Sequence, residues 1–276
     1  MELTLPVTLA VLGGALLHAA WNTLVKSSQD KELDTCAVAA GSGLFSLFAL
    51  PFVAAPAPAA FPWLAASSAV HILYFLFLAG AYRHGELSYV YPVMRGGGPM
   101  IVAASGALAF SEALRSSEWL GVLLICGGIL MLASGTHDRR ATLFAVANAV
   151  VIGAYTLIDA KGARASGAPV GYVLWFFVAM AVVVLAIGTA RRGGALPRYL
   201  AHNWARALAG GACSVGSYGI ALWAMTRAPV ALVAVLRETS VIFAAVLAAL
   251  VLKEKPTRRR LLATGAVLAG LIFLRI

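Results

Sequence analysis

Two stretches of equal length decide the fold: residues 87–112, LSYVYPVMRGGGPMIVAASGALAFSE, and residues 229–254, PVALVAVLRETSVIFAAVLAALVLKE. When one is laid on the other, Arg95 falls on Arg237 and Glu112 falls on Glu254. Each stretch is apolar and longer than the roughly 20 residues that a membrane helix needs. Charged residues are rare inside such segments. The two shared charged positions therefore indicate an internal repeat.

The whole chain is as apolar as these two stretches. Of its 276 residues, 61% are hydrophobic and only 12% are charged, and the mean hydropathy is +0.89. A soluble domain carries roughly 25% charged residues. This composition excludes an ordinary soluble enzyme, a disordered chain and a secreted disulfide scaffold, and it indicates a polytopic membrane protein. The net charge of +10 collects in short loops between apolar runs, so we expect no nucleic acid partner.

Ten apolar runs of about 20 residues follow one another along the chain. Backbone polar groups in lipid must bond within their own segment, so each run is predicted to be a helix. The predicted spans are residues 4–25, 34–54, 62–82, 87–110, 116–135, 141–161, 169–190, 204–226, 229–252 and 257–275. The predicted fold class is therefore an all-α, multi-pass integral membrane protein without a soluble domain.

The repeat divides the ten spans into two sets of five, residues 1–135 and residues 141–276. Trp21 in the first span corresponds to Tyr155 in the sixth. Because five is odd, the second set enters the membrane with the opposite orientation. Two inverted five-helix repeats around a central cavity are the arrangement that supports alternating access. This organisation favours a carrier over an enzyme.

An intramembrane enzyme that acts on lipid-linked substrates is the alternative from another class. It would need paired carboxylates or a metal cluster at one membrane depth. The eleven acidic residues show no such pair inside a span, and the histidines and the three cysteines lie in separate segments. We therefore predict no catalytic residue, no metal site and no cofactor.

Several motifs resemble the twice-repeated motif of the drug/metabolite transporter superfamily, and more closely its EamA branch. In the first half, Ser111-Glu112 is followed by Gly121 and Gly128. In the second half, Glu254 is followed by Gly265 and Gly270. Trp21, Tyr91-Pro92 and the spacing from Pro99 to Glu112 are similar to that branch as well. The resemblance covers the whole chain.

The resemblance implies an exporter of small metabolites in the inner (plasma) membrane. The length and layout are similar to the YddG-type amino-acid exporters, which implies an amino-acid substrate of broad specificity, including aromatic or other neutral amino acids. Drugs, sugars and nucleotide-type metabolites are the alternative substrates within the superfamily. The chain departs from the family in its ninth span, which has Val241 where the fourth has Pro99. A symmetric pair of broken helices is therefore not expected.

The orientation of the chain in the membrane has two conflicting indications. Fourteen of the 21 Lys and Arg residues fall in loops after odd-numbered spans, five fall on the other side and two lie inside spans. The positive-inside rule then puts both termini outside the cell. Ten-span members of the superfamily usually have both termini in the cytoplasm. Both orientations stay open.

Three charged residues well inside spans are the first candidates for substrate binding: Arg95, Arg237 and Glu238. Charge at membrane depth is costly and normally faces the interior of the bundle. Arginines can hold a substrate carboxylate, and Glu238 can meet an ammonium group, which together suit a zwitterionic amino acid. The alternative is a closed ion-pair network that links the two repeats.

Aromatic, amide and histidine side chains complete the predicted substrate site. These residues are His18, Trp21 and Asn22 of the first span, His71 and Tyr74 of the third, and Tyr155 of the sixth. Such side chains can line a cavity and grip an amino-acid side chain. Histidine titrates near neutral pH, so the histidines could couple transport to protons. The alternative for each histidine is an ordinary contact between helices.

Three further groups of residues carry more structural predictions. Gly96, Gly97, Gly98 and Pro99 weaken helical hydrogen bonding, so we predict a kink or break that acts as a hinge; close packing of small residues is the alternative. Glu112 and Glu254 are predicted to favour the start of the helix that follows each of them. Asp159 and Lys161 are predicted to lie at the membrane interface.

Overall fold

The computed structural model describes residues 2–135, 138–251 and 257–274. Within these ranges the chain forms α-helices, two short 3-10 turns and no strand. Glu254 lies outside the described residues. The helices are α1 (Leu5–Ser27), α2 (Lys31–Ala49), α3 (Phe61–His84), α4 (Leu87–Phe110), α5 (Ser116–Leu130), α6 (Arg139–Ala165), α7 (Pro169–Arg192), α8 (Ala195–His202), α9 (Trp204–Met225), α10 (Val230–Arg237), α11 (Ser240–Val251) and α12 (Arg258–Phe273).

Eight helical segments of the described chain are long and apolar enough to cross a membrane. They comprise α1, α2, α3, α4, α6, α7, α9 and the combined α10–α11 segment, counted over Val230–Leu247. Helix α5, with 15 residues, reaches only about 22 Å at 1.5 Å per residue. Helix α12 has 16 described residues and starts with three arginines. The all-α, multi-pass membrane class is therefore confirmed, whereas the count of ten spans is not.

Helix α10 lies at the centre of the bundle. Every residue from Val230 to Leu236 is buried, with at most 5% of its surface exposed. It contacts α1, α4, α5, α6 and α9. A helix that is apolar all round is stable only where it is enclosed on every side. The position of α10 therefore fixes where its polar end, Arg237-Glu238, can lie: inside the protein and away from lipid.

The ninth predicted span is broken in two at Glu238-Thr239. The N–H of Glu238 donates to the Val235 carbonyl at 3.0 Å, and the N–H of Thr239 donates to the Leu236 carbonyl at 3.1 Å. These bonds reach three residues back instead of four, which tightens the chain into a turn. The Thr239 hydroxyl also donates to the Leu236 carbonyl at 2.8 Å, and such side-chain bonds compete with the helix.

Helix α4 is continuous through Gly96–Pro99, so the break predicted at these residues is not present. Its glycines pack tightly: a Cβ at Gly96 would lie 2.7 Å from Leu130 Cγ, and one at Gly98 would lie 2.5 Å from Ile152 Cγ2. Small residues allow α5 and α6 to approach α4 closely. The neighbours hold the helix together across a stretch that would be weak in isolation. The hinge role of Gly96–Pro99 stays a prediction.

Helix α8 is a short helix between two predicted spans, where the sequence predicts only a loop. Its eight residues carry Leu196 and Leu200 on a face that packs against Leu33 and Cys36 of α2. Eight residues are too few for a membrane span, and for this reason a search for apolar runs does not find them. Tyr199 of α8 donates to Asp34 of α2 at 3.0 Å, which ties α8 to the bundle.

Candidate functional site

A buried ion pair joins α4 to the turn between α10 and α11. The Arg95 guanidinium and the Glu238 carboxylate approach to 3.0 Å, with 15% and 5% of their side chains exposed. Arg95 is one turn before Pro99, whose missing N–H leaves the Arg95 carbonyl without its helical donor. Glu238 is presented by the turn that ends α10. Two members of the alternative ion-pair network, Arg95 and Glu238, are thus paired, whereas the third, Arg237, has no ion pair within the described residues.

A small cavity surrounds this pair. Its lining residues are Arg95, Pro99, Val102, Ile152, Tyr155, Thr156, Ala234, Arg237 and Glu238. Four of the predicted binding residues, together with Pro99, therefore meet at one place. The space within it is about 10 Å³, which is room for a single water molecule at most. A larger ligand would need the lining side chains to move apart.

Hydrogen-bonding capacity is left unused inside the cavity. The Nε atom of Arg95 and the Oε2 atom of Glu238 are buried and have no hydrogen-bond partner within the described chain. Buried polar atoms are normally bonded, and an unsatisfied one costs about 1–3 kcal/mol. The ion pair beside the cavity therefore keeps one unused donor and one unused acceptor.

Arg237 uses its charge differently from Arg95. Its guanidinium lies over the ring of Tyr218, 5.2 Å from the centroid. Across the described residues, no Asp or Glu oxygen lies within 4 Å of it. A cation over an aromatic face is held by the ring quadrupole, more weakly than by a carboxylate in a dry site. Arg237 is therefore the cation in the cavity that a substrate carboxylate can recruit without first breaking an ion pair.

The predicted aromatic residues of α3 and α6 form one cluster beside the cavity. The ring of His71 lies 4.1 Å from that of Tyr155, and Tyr74 lies 6.0 Å from Tyr155. Phe176 of α7 extends the cluster, 4.8 Å from His71 and 5.6 Å from Tyr218. Because Tyr155 lines the cavity, His71 and Tyr74 form a second layer behind it.

The three predicted binding residues of α1 lie outside the lining of the cavity. The His18 and Trp21 rings meet edge to face at 5.3 Å. The Asn22 amide donates to the His18 carbonyl of its own helix at 2.8 Å. Neither His18, Trp21 nor Asn22 is among the residues that line the cavity. Their role in binding stays a prediction.

Asp159 was expected at the membrane interface, and its depth in the membrane stays a prediction. Its side chain is fully buried, one helical turn after Tyr155. Tyr172 donates to its Oδ1 atom at 2.9 Å, and Tyr218 donates to its Oδ2 atom. The chain turns back after α6, so that α7 and α9 pack over Asp159. In the sequence, a residue so near the end of its span looks exposed. The sequence did contain one indication of this position: Asp159 follows Tyr155 by four residues, so the two lie on the same face of the helix.

Glu112 stabilises a helix start, but not that of the next helix. It accepts a hydrogen bond from the Val230 N–H at 2.8 Å, so it caps α10 instead of α5. Its other oxygen pairs with Arg164 at 2.6 Å. Arg164 also donates to the Met225 carbonyl. Since α5 begins with its own capping Glu118, Glu112 is free to tie the first half of the chain to the second.

Comparison with known proteins agrees with this architecture. The profile of the EamA-like transporter family matches residues 139–276, half of the chain. A solved structure, described only as the crystal structure of a protein, is similar over 97% of this chain and 96% of its own length, with a TM-score of 0.77 and 18% sequence identity. At that identity the likeness concerns the fold alone. No curated protein matches the sequence.

Proposed function

This chain belongs to the EamA-like transporter family of the drug/metabolite transporter superfamily, and from that premise we propose that it exports amino acids across the inner (plasma) membrane by alternating access. One observation carries the choice of substrate: a single enclosed cavity brings together Arg95, Arg237 and Glu238. The free end of an amino acid carries one carboxylate and one ammonium group. Arg95 and Arg237 offer cations to the carboxylate, and Glu238 offers an anion to the ammonium group.

Binding would proceed by exchange of partners. Glu238 neutralises Arg95 at a distance of 3.0 Å. A substrate carboxylate would bind Arg237 and Arg95, and its ammonium group would take over Glu238. Arginine suits this role because its planar guanidinium binds carboxylates through two parallel hydrogen bonds. Each buried charge would keep a partner throughout, so the exchange avoids the cost of an isolated charge in a dry site.

We propose that ten spans form two inverted repeats, and the helix contacts support this. A shift of five spans turns the pair α3–α6 into the pair α9–α1, and both pairs are closely packed. The same shift turns α4–α6 into the contact of α10 and α11 with α1. The contacts α5–α12, α2–α7 and α4–α10 convert into themselves. A two-fold axis in the membrane plane would produce these pairings.

The pairing is broken most strongly at one contact, which supports alternating access. Helix α2 packs extensively against α9, whereas its counterpart under the shift, α7 against α3, has few contacts. The α2–α9 face is held by Asp34, which is fully buried and bonded to Arg206 at 2.9 Å. The Glu112–Arg164 pair ties the halves together at the opposite end. In the proposed cycle these two connections open in turn.

Counterflow in proteoliposomes tests the proposed function. Vesicles are loaded with one unlabelled amino acid at a time, and entry of its labelled form is followed. Saturable exchange for at least one amino acid is expected from the wild type, and Arg237→Ala is expected to lose it while remaining folded. If well-folded protein exchanges no amino acid, the amino-acid proposal is wrong, and drugs, sugars and nucleotide-type metabolites are the substrates to test.

A further inference from the structure

A second buried charged position lies one helical turn from the cavity. Asp159 follows Tyr155 by four residues on α6, about 6 Å along the helix axis. None of its surface is exposed. It lies within Arg139–Ala165, a segment long and apolar enough to span the membrane. Acidic groups inside such segments are costly and usually serve a function.

The partners of the Asp159 carboxyl are hydroxyl groups. Tyr172 of α7 donates to one oxygen at 2.9 Å, and Tyr218 of α9 donates to the other. No Lys or Arg nitrogen in the described parts of the chain lies within 4 Å of it. Arg95, Arg164 and Arg206 all have a carboxylate partner. Asp159 is thus a fully buried acid that accepts from two tyrosine hydroxyls and is faced by the titratable His71.

A carboxylate in this setting keeps its charge only at the expense of desolvation that no Lys or Arg offsets. Binding a proton removes the charge. We propose that Asp159 is a proton-binding site whose protonation is coupled to substrate at Arg237, an inference that rests on the proposed function. The proton comes from water and bonds to one carboxyl oxygen, and the reverse step returns it to water. No other covalent bond changes.

Tyr218 provides the connection between the two sites. Its hydroxyl donates to Asp159, while its ring carries the Arg237 guanidinium at 5.2 Å. A protonated carboxyl has its own O–H to donate, so one of the two tyrosines must turn and accept. The hydroxyl rotates about its C–O bond and leaves the ring in place, but protonation removes a negative charge on the far side of the ring that carries Arg237. The affinity of Arg237 for a substrate carboxylate would therefore depend on whether Asp159 is protonated.

Several groups face Asp159 from the packed helices and share its titration. The groups that face or border it are His71 of α3, Tyr155 of α6, Tyr172 of α7, Tyr218 of α9 and, across Tyr218, Arg237 of α10. His71 is the other group here that can bind a proton near neutral pH. Its Nδ1 atom lies 2.9 Å from the Ser67 carbonyl of its own helix. A test must therefore separate Asp159 from His71.

Infrared difference spectroscopy on substrate-free protein makes that separation. The chain has only four aspartates, at positions 30, 34, 138 and 159. Protein labelled with carboxyl-¹³C aspartate is titrated between about pH 5 and pH 8, the range in which histidine also titrates. We expect a labelled band of protonated carboxylic acid to grow as the pH falls. It should be absent in Asp159→Asn, replaced by an unlabelled carboxylic acid band in Asp159→Glu and retained in His71→Gln.

The wild-type spectrum alone can overturn the proposal. If no labelled carboxyl changes protonation in that range, Asp159 is fixed in one state and cannot carry a coupling proton. The same conclusion follows if the band persists in folded Asp159→Asn. Should both Asp159 variants fail to fold, Asp34→Asn and Asp30→Asn assign the band by elimination, since Asp138 is an exposed residue. None of these measurements needs a substrate.

Transport measurements test the coupling separately. For an amino acid that the wild type exchanges, Asp159→Asn is expected to retain counterflow but to lose at least about 90% of the uptake driven by a pH gradient, a tenfold effect. Uptake that remains driven by the gradient in Asp159→Asn would overturn the proposal. If no amino acid exchanges in the wild type, the proposed function fails, while the infrared result still decides whether Asp159 binds a proton.

Discussion

Arg95 on α4 and Glu238 at the end of α10 approach to 3.0 Å inside the membrane-spanning part of the protein. They come from the two stretches that the sequence predicts to be repeats, since Glu238 is the neighbour of Arg237 and Arg237 aligns with Arg95. The pair joins α4 to the end of α10. It lines the cavity, and each partner keeps one unused polar atom.

Removing one partner of this pair should destabilise the protein far more than removing both. Arg95→Met leaves Glu238 buried without its cation, which we expect to lower the free energy of unfolding by about 3–5 kcal/mol. Arg95→Met combined with Glu238→Gln leaves no charge behind and should recover most of that loss. Thermal unfolding in detergent measures both variants.

Transport separates the two roles of the pair. The double variant should fold yet show no amino-acid counterflow, because the acceptor for the ammonium group is gone. A double variant as unstable as Arg95→Met would show that the pair is not coupled, and a double variant that transports normally would remove Glu238 from the binding site.

Arg237 and Arg227 provide a matched comparison. Both lie over an aromatic ring, at 5.2 Å from Tyr218 and 5.6 Å from Trp223, but only Arg237 lines the cavity. We expect Arg237→Gln to reduce counterflow at least tenfold, the equivalent of about 1.4 kcal/mol of binding, with little change in unfolding temperature. Arg227→Gln should leave counterflow near the wild-type rate. Equal losses in the two variants would show a general effect of removing a cation.

The α2–α9 face depends on a glycine that touches backbone. A Cβ at Gly41 would lie 1.9 Å from the Ala207 carbonyl oxygen, and backbone cannot move aside as a side chain can. Gly41→Ala should therefore destabilise the fold by about 1–3 kcal/mol or more. Gly13→Ala on α1 meets nothing within 4 Å and should gain up to about 1 kcal/mol in helix stability. Equal unfolding temperatures for the two variants would contradict the close crossing.

Asp30 gives the stability a dependence on acid pH. It caps α2 by accepting from the Leu33 N–H, and Arg192 of α7 pairs with it. These two contacts, the first being the larger cause, lower the pKa of Asp30 from its ordinary value. A lowered pKa contributes stability above the ordinary value, near 3.9, and that contribution is lost as the pH falls through the folded-state pKa.

Asp30→Asn should therefore reduce the unfolding temperature at pH 7, and the difference from wild type should shrink below about pH 4. Asp138→Asn is the control for the loss of a helix-capping charge, because Asp138 caps α6 by accepting from the Arg140 N–H. A deficit of Asp30→Asn that is constant down to acid pH would mean that the charge of Asp30 is not what stabilises the contact.

Much of the fold follows from the sequence because apolar length determines where membrane helices lie. Helices α1, α3, α4, α6, α7 and α9 begin and end within a few residues of the predicted spans. The interruption was predicted at Gly96–Pro99 and occurs at Glu238-Thr239. Local propensity favours a break of the helix in both places, and packing against neighbouring helices determines where the break occurs. Helices α5 and α6 support the glycines, whereas the Thr239 hydroxyl bonds to its own backbone.

The site was predictable to the extent that it depends on buried charge. Arg95, Arg237 and Glu238 are conspicuous because little else in their spans is charged, and they meet in one cavity. Asp159 was missed because it lies near the end of its span, where charge is common. Its burial depends on Tyr172 and Tyr218, which come from two later helices. No local pattern contains such long-range contacts.

The most direct measurement is competition of matched analogues in counterflow. For an amino acid that the wild type exchanges, the unlabelled free form is compared with its methyl ester, which lacks the carboxylate, and its N-acetyl form, which lacks the ammonium group. We predict that the free amino acid competes and that both analogues are at least tenfold weaker, about 1.4 kcal/mol each. If the ester or the N-acetyl form competes as well as the free amino acid, the cavity of Arg95, Arg237 and Glu238 does not recognise a zwitterion.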